Sequence, residues 1–521
     1  MFANKLFIHQ RGDRLIAQAL LPYKYEAEKQ GAGMTALAGL PLYLDLAWVT
    51  GLVESIRRHL KLREGRQGWT DAQFVVALIL LNLAGGEHVE DLKVLEQDPG
   101  FSRVLSRVET AGLSRQQRRA VERRFRKKRG RSVPSPSAVF RYLAGFHNPE
   151  QEKLREVSRA AFVPKPNEAL QGLGQVNRDL IAQLQRRRPE STATLDMDAT
   201  LVETCKEEAL YCYKKFKAYQ PLNTYWAEQG VVLHSEFRDG NVGAGQDQLR
   251  VLKGALEMLP EGVARVRLRS DTAGYQHELL AYCDDGVSRF GRIEFAISCD
   301  VTPEFKKNVA QVPEEEWQDE YREVAGQREK TGRQWAEVCF VPEALKGSKK
   351  GREYRYLALR EVLGQLSLPG LEEQRELPFQ TLKINQIEYK LFGLVTNLDW
   401  EGSRLIEWQH ERCGKSEEVH KVMKEDLAGG TLPSGDFGEN AAWWAIMVLA
   451  LNLNAVLKKL VLGREWEPRR MKAIRFALLH RPGRVLEHAR GLIVRVGRSA
   501  LDRLIITARS QIYALGGTGG G

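Results

Sequence analysis

Thr192-Ala-Thr-Leu-Asp-Met-Asp-Ala-Thr200 alternates small or apolar residues with polar ones, the period of a half-buried strand. Working outward, Tyr219 to Ala227 and Val231 to Phe237 read as two further strands, joined by Glu228-Gln-Gly230, and Asp239-Gly-Asn241 is a turn. Gln246 to Leu259 is helical, with Leu249, Leu252, Leu256 and Leu259 on one face. Arg265-Val-Arg-Leu-Arg-Ser-Asp271 alternates again, Gln276 to Cys283 is helical, and Ile293 to Cys299 is another strand. Three consecutive strands, a helix, a strand, a helix and a strand is the succession of an RNase H-like mixed sheet. The fold class expected is therefore α/β.

Beyond this core, Pro303 to about Gln386 reads as a β-rich insertion. It contains Pro313-Glu-Glu-Glu-Trp317, a polar basic loop at Lys346-Gly-Ser-Lys-Lys-Gly-Arg352, and the strand-like Tyr354-Arg-Tyr-Leu-Ala-Leu359. Tyr389 to Asn397 resumes a strand and Ser416 to Asp426 is helical. The tail from Ala441 to about Tyr513 is expected to be mostly helical, broken at Pro482-Gly483, with a flexible end at Gly516 to Gly521.

Upstream, Leu46 to Leu60 spaces apolar residues three and four apart, and Thr70-Asp71 caps a largely buried helix from Phe74 onward. Short helical pieces follow at Glu90 to Glu96 and Phe101 to Val104. From Ser114 to Ser132 ten arginines and lysines are opposed only by Glu122. That helix-like run ends at Val133-Pro-Ser-Pro-Ser137, and Ser137 is expected to cap the next helix, Ala138 to Gly145. A run with so little compensating acid fits contact with a DNA backbone, because Lys and Arg displace condensed counterions. Arg123, Arg126, Lys127, Lys128 and Arg129 are its candidate DNA-binding residues.

The organisation expected is a helical N-terminal region with the basic segment at 1–165, core at 190–302, insertion at 303–386, core again at 387–460, and a helical C-terminal region at 461–521. The chain has 521 residues with 43% hydrophobic and 28% charged, which allows a large core and gives no reason for disorder. Lys plus Arg exceed Asp plus Glu by 78 − 67 = 11, which favours a polyanionic partner. The six cysteines form no C-x-x-C pair and no zinc-finger spacing. The N-terminus lacks a signal pattern, and the longest apolar run, Ala441 to Leu453, falls short of the roughly 20 residues of a membrane helix. A cytoplasmic location without membrane contact is expected by elimination.

Two-metal phosphoryl chemistry needs acidic oxygens converging from different elements onto cations roughly 3.5–4 Å apart. Asp198 lies in a strand-like run, with Asp196 two positions away on the same face. Asp271 ends the alternating run at 265–271, and Glu417 sits on a helix after a strand and a polar loop. The separations are 271 − 198 = 73 and 417 − 271 = 146, the second enlarged by the insertion. Taken singly, each acid reads as a turn former, a helix cap or an exposed helical acid; their order along the chain sets them apart.

Three stretches carry a resemblance. Leu195-Asp-Met-Asp-Ala-Thr200, Leu268-Arg-Ser-Asp-Thr-Ala-Gly-Tyr275 and Glu411-Arg-Cys-Gly-Lys-Ser-Glu-Glu-Val-His-Lys-Val-Met-Lys-Glu-Asp-Leu427 resemble the three acidic motifs of bacterial insertion-sequence transposases of the DDE superfamily. The likeness is greatest to the branch related to piggyBac elements and runs over about residues 35–510. The family's Asp-Ala-Thr context points to Asp198 rather than Asp196. Its glutamate-to-lysine spacing, 424 − 417 = 7, points to Glu417 rather than Glu418. Arg412 stands one place further from the glutamate than is common, and the family's tyrosine is not matched cleanly.

The resemblance implies an RNase H-like core and catalytic, metal-holding roles for Asp198, Asp271 and Glu417 with Mg²⁺ or Mn²⁺. It also implies DNA contacts from Arg412, Lys415 and Lys424. The implied partners are double-stranded DNA (the terminal inverted repeats of the element and target DNA) and further copies of the chain in a synaptic complex, near the bacterial nucleoid. A catalytically silent DNA-binding descendant and a metal-dependent nuclease without strand transfer are the alternatives. Trp443 and Trp444 are expected in the core.

Overall fold

The computed structural model describes residues 8–11, 14–18, 24–26, 33–65, 67–111, 113–125, 130–158, 161–324, 327–342, 354–363, 379–385, 387–488 and 491–517. Arg126, Lys127, Lys128, Arg129, the loop 346–352 and the last residues of the glycine-rich end, 518–521, lie outside them. The chain divides into two compact units. One comprises residues 1–49, 63–139 and 472–521, the other 50–62 and 140–471.

In the first unit, β1 (Ile8–Arg11), β2 (Arg14–Gln18) and β3 (Lys24–Glu26) form a three-stranded antiparallel sheet, and β4 (Met34–Thr35) is a short separate strand. The buried helix Asp71–Ala84 starts where expected. Thr70 accepts from the backbone N–H of Gln73, whose side chain accepts from the Thr70 N–H, so two orphan donors are satisfied reciprocally. At its other end Gly85 takes φ 95°, and Arg475 donates to the carbonyls of Asn82 and Leu83 at 2.6 and 2.8 Å. The basic helix Arg115–Arg123 starts on a similar Ser114–Gln117 capping box and buries none of its residues. Ser135, not Ser137, meets the next helix, accepting from the Ala138 N–H at 3.3 Å, because that helix already begins at Pro136.

The second unit holds the mixed sheet. In chain order come β5 (Thr192–Ala199), β6 (Val202–Glu203), β7 (Leu210–Tyr211), β8 (Lys217–Tyr219), β9 (Leu222–Trp226), β10 (Val231–Glu236), β11 (Arg265–Ser270) and β12 (Glu294–Cys299). They are followed by β13 (Gln318–Val324), β14 (Gln327–Val338), β15 (Arg355–Val362), β16 (Thr381–Ile384) and β17 (Ile387–Thr396). The large sheet runs β10-β9-β5-β11-β12-β17-β15-β14-β13, with β16 paired on β17. β9 and β10 join β5 antiparallel, while β11 and β12 run parallel to it. This is the RNase H-like order, three antiparallel strands followed by two parallel crossovers. The insertion strands extend the same sheet, since β17 pairs both β12 and β15.

The strand expected over 219–227 is divided, with β8 ending at Tyr219 and β9 starting at Leu222. Pro221 between them has no N–H for a ladder; its carbonyl accepts from Thr200 at 3.0 Å. β6, β7 and β8 instead make a separate three-stranded sheet in the order β6-β8-β7. Leu195, Trp226, Leu268, Phe295 and Val395 are fully buried, and so are Trp443 and Trp444 (each 1% exposed) on the helix Phe437–Leu457. That helix, continued to Leu462, is apolar enough to cross a membrane, but it is mostly buried in protein. The tail, expected to be mostly helical, also carries the antiparallel pair β18 (Gly483–His488) and β19 (Gly491–Arg495), with β18 on β4. The β-branched Val485, Ile493 and Val494 in runs of five or six residues favour strand there.

Candidate active site

Parallel pairing puts Arg265 to Ser270 of β11 opposite Thr192 to Met197 of β5, so Arg269 faces Asp196. One step beyond the last registered pair, Asp198 and Asp271 stand side by side where the two strands end. The equal separations, 269 − 196 and 271 − 198, both 73, express that register. Asp271 leaves the strand as the cap of a short 3₁₀ turn, accepting from the Ala273 N–H at 3.1 Å.

The two β5 aspartates have different surroundings. Asp196 is 1% exposed and held bidentately by Arg269, at 2.6 and 2.9 Å. Arg269 also donates to the carbonyl of Trp408 and to Glu411, and stacks over the Trp408 ring at 5.1 Å. Asp198 keeps a side chain 22% exposed, with Arg412 at 3.3 Å. Burial pushes its carboxyl up to about 6; Arg412 pulls it down, and the negative charge of Asp271 raises it again. The acids that stand together at the strand ends are thus Asp198, paired with Arg412, and Asp271.

The third acidic motif lies on the helix Gly402–Lys421, longer than the Ser416 to Asp426 expected and followed by a π turn at Val422–Asp426. It can lie close on the sheet because residue 402 is glycine: a Cβ there would sit 2.2 Å from the Trp335 ring. Leu405, Gln409, Arg412, Ser416 and His420 are buried at helical spacing. Gln409 donates to the carbonyl of Ser270 at 2.9 Å and His420 Nε2 is 3.2 Å from the amide of Asn223, the residue paired with Asp198. The helix therefore spans β11, β5 and β9 in turn. Burial, helped by Lys424 and Arg412, lowers the His420 imidazole to about 4, so it is neutral at physiological pH.

Glu411, Lys415 and Glu418 form one stripe of this helix, and their charges reach Arg269, Asp196 and Tyr225. Glu417 stands about 100° round the helix from Glu418, exposed and outside that stripe. Asp198 and Asp271 are brought together and Glu417 is not drawn in with them: among the described residues no group of three His, Cys, Asp or Glu side chains is close enough to hold a metal ion. Arg412 turns inward to Asp198. Lys424 is half-buried and donates to the carbonyl of Leu201 at 3.2 Å, tying down the segment after β5. Lys415 and Arg123 are exposed.

Sequence reasoning missed Arg269, Gln409, Ser416 and His420. Their signal was four polar residues at positions where apolar ones would complete a strand or helix face. Among the described residues Gln409 Oε1, Arg412 Nε and Ser416 Oγ are buried with no hydrogen-bond partner, so polar capacity beside the Asp198–Asp271 pair is left unused.

A family model described as transposase DDE domain group 1 matches residues 22–514. The chain belongs to that family. This transposase matches no curated protein. Among solved structures it is similar to a piggyBac transposase synaptic complex with hairpin DNA, determined by cryo-EM, at 10% identity and a TM-score of 0.39 over 93% of this chain and 83% of the other.

Proposed function

We propose that the transposase cuts DNA at the ends of its element and joins those ends to target DNA at the Asp198–Asp271 pair, with Glu417 as third acid. The observation that carries this is two neighbouring carboxylates at parallel strand ends, one of them raised to about 6 by burial and, in smaller part, by the other's charge. Like charges held together, with orphaned polar atoms beside them, suit a divalent cation. Asp198 and Asp271 would hold Mg²⁺ or Mn²⁺, with Glu417 joining them only if its helix turns toward the pair when DNA is bound; the ion, when bound, supplies the positive charge that a water or DNA 3′ hydroxyl attacking a backbone phosphate requires.

The chain's own groups do the positioning. Arg269 fixes Asp196, and through it the β5–β11 register that aligns the two acids. Arg412 orients the Asp198 carboxylate, Lys415 reaches DNA phosphates from the same helix, and Lys424 holds the Leu201 carbonyl of the segment after β5. In the other unit, Arg103, Arg107 and Arg131 line a cleft of about 800 Å³ with Ser102, Ser106 and Thr110. This is chemistry suited to DNA phosphates, next in sequence to the basic residues 126–129. Inverted repeats and target DNA are the substrates, a homo-oligomer pairs the two ends, and the nucleoid is the site of action.

The test is cleavage of DNA carrying the element ends in Mg²⁺. Asp198→Asn, Asp271→Asn and Glu417→Gln should each lower cleavage by at least about 10³-fold, roughly 4 kcal/mol of barrier, with end binding kept. Near-normal cleavage by any one of them removes that residue from the site. Products joined to target DNA separate transposition from simple hydrolysis.

A further inference from the structure

Between β5 and β9 the chain makes the small sheet β6-β8-β7, whose first strand begins four residues after Asp198. Its base is fixed. Val202 and Glu203 pair with Tyr219 and Ala218, and Leu210 and Tyr211 with Ala218 and Lys217. Lys217 Nζ donates to the Glu207 carbonyl at 2.6 Å, and Arg155 holds the Glu208 carbonyl at 2.7 Å. The sheet lies so close on residue 240 that a Cβ there would meet the carbonyls of Ala218 and Leu210 at 2.5 and 2.7 Å, which only glycine avoids.

Its tip is the opposite. Cys212 to Lys215 form a tight turn closed by Lys215 N–H to Cys212 O at 2.9 Å, with Lys215 in the left-handed region at φ 67°. Cys212 points inward and is buried. Tyr211, the last residue of β7, and Tyr213, in the turn, are 64% and 72% exposed. Lys214 and Lys215 are exposed beside them, with Lys214 Nζ 5.7 Å from the Tyr213 ring. The acids of this segment, Glu203, Glu207 and Glu208, sit before the tip and not in it. The tip is tied to the site through the chain: β6 starts at Val202, four residues after Asp198, and Lys424, on the stretch that follows the acid-bearing helix, holds the intervening Leu201 carbonyl at 3.2 Å.

We propose that this tip grips unpaired nucleotides of the DNA strand beside the phosphate to be cut, with Tyr211 and Tyr213 stacking on bases and Lys214 and Lys215 on the adjoining phosphates. Two rings presented to solvent on a rigid base serve a base whose face is free, and in a paired duplex the faces are covered. The lysines match the charge of the strand that carries those bases, and stacking with cationic support is how single strands are held without sequence preference. The inference rests on the active site proposed above, whose substrate it specifies.

Two measurements keep the inference and that reading apart. The first is binding of a short single-stranded thymidine oligonucleotide by the full chain in EDTA, which needs no catalysis. The double variant Tyr211→Ala, Tyr213→Ala should bind about thirtyfold more weakly than wild type or worse, and Tyr213→Trp should bind as well as wild type. Equal affinity of wild type and double variant overturns the inference whatever the cleavage assay gives. The second is end cleavage in Mg²⁺. The double variant should lose about tenfold on a fully paired end and recover on an end whose flanking nucleotides are mismatched. Equal loss on both substrates, or no loss on either, also overturns it. A wild type that cuts neither substrate counts against the active-site reading, and the oligonucleotide result then stands on its own.

Discussion

Asp196 and Asp198 lie two residues apart on one face of β5 and have different fates, and the difference lies in what stands across the strand gap. Opposite Asp196 is Arg269, which takes both carboxylate oxygens; beside Asp198 is another acid. For a buried bidentate pair, removing one partner costs about 3–5 kcal/mol, so Asp196 belongs to the frame of the site. Asp198 is held where its charged form is disfavoured, chiefly by burial. Its carboxyl sits at about 6 against 3.8 for a free aspartate. Because the folded-state value is the higher one, the folded chain holds a proton that the unfolded chain releases. The resulting stability is complete below pH 3.8 and is lost as pH rises through 6, a swing on the order of 3 kcal/mol. Asn cannot ionise. In EDTA the stability of Asp198→Asn relative to wild type should therefore be greater at pH 8 than at pH 5 by about 1 kcal/mol, the part of the swing that lies above pH 5, measured by urea unfolding at the two pH values. A pH-independent difference would mean that Asp198 has an ordinary carboxyl, and the charge crowding with Asp271 would go with it.

At the level of elements, the edge of the sheet shows how a polar residue in an apolar helix earns its place. β10 is an outer strand, and its backbone groups would be orphaned beneath the helices that cover it. Asn452, the polar interruption in the apolar run 441–453, accepts from the Val232 N–H at 2.9 Å and donates to the Val232 carbonyl at 2.8 Å and to Asn177 at 2.7 Å. Asn177 in turn donates to the carbonyls of Val232 and Leu233. Asn452→Leu keeps the volume and strands the Val232 N–H and the Asn177 side-chain oxygen, at about 1–3 kcal/mol for each left unpaired. Urea unfolding should show a loss of about 3 kcal/mol or more, whereas a loss below 1 kcal/mol would mean that the strand finds other partners. The same elements show what could be read in advance. β5, β9, β10, β11 and β12 were legible because short apolar or β-branched runs alternate with polar residues between turn signals, even though consecutive residues on both faces are buried, and Asp198 and Asp271 were legible because they end such strands. The helix Gly402–Lys421 was read too short because its buried face is largely Gln409, Arg412, Ser416 and His420, which leave no hydrophobic period. The Asp196–Arg269 pair was hidden because it exists only through the register of two strands 73 residues apart.

For the molecule as a whole, the excess of 11 positive charges matters through where it is concentrated. The helix Arg115–Arg123 has no buried residue, so packing contributes little to its stability, and Arg115 in its first turn opposes the helix dipole. Arg115, Arg119 and Arg123 repeat every fourth residue along one exposed stripe. A helix capped by Ser114 yet held by no core, with its cations aligned, suits an external polyanion: a DNA backbone would supply the counter-charge that the protein omits. Replacing the three arginines with glutamine should weaken binding of any duplex, with element ends and unrelated DNA affected alike. The slope of log affinity against log salt should fall by about 0.9 for each phosphate that is no longer neutralised. Cleavage at saturating DNA and low salt should stay near the wild-type rate, because the substitutions lie on a different unit from Asp198 and Asp271. A slope that does not move would return this helix to the status of a solvated charged surface. The excess charge would then have to act through the arginine-lined cleft at Arg103, Arg107 and Arg131, where the same substitutions to glutamine should lower the slope instead.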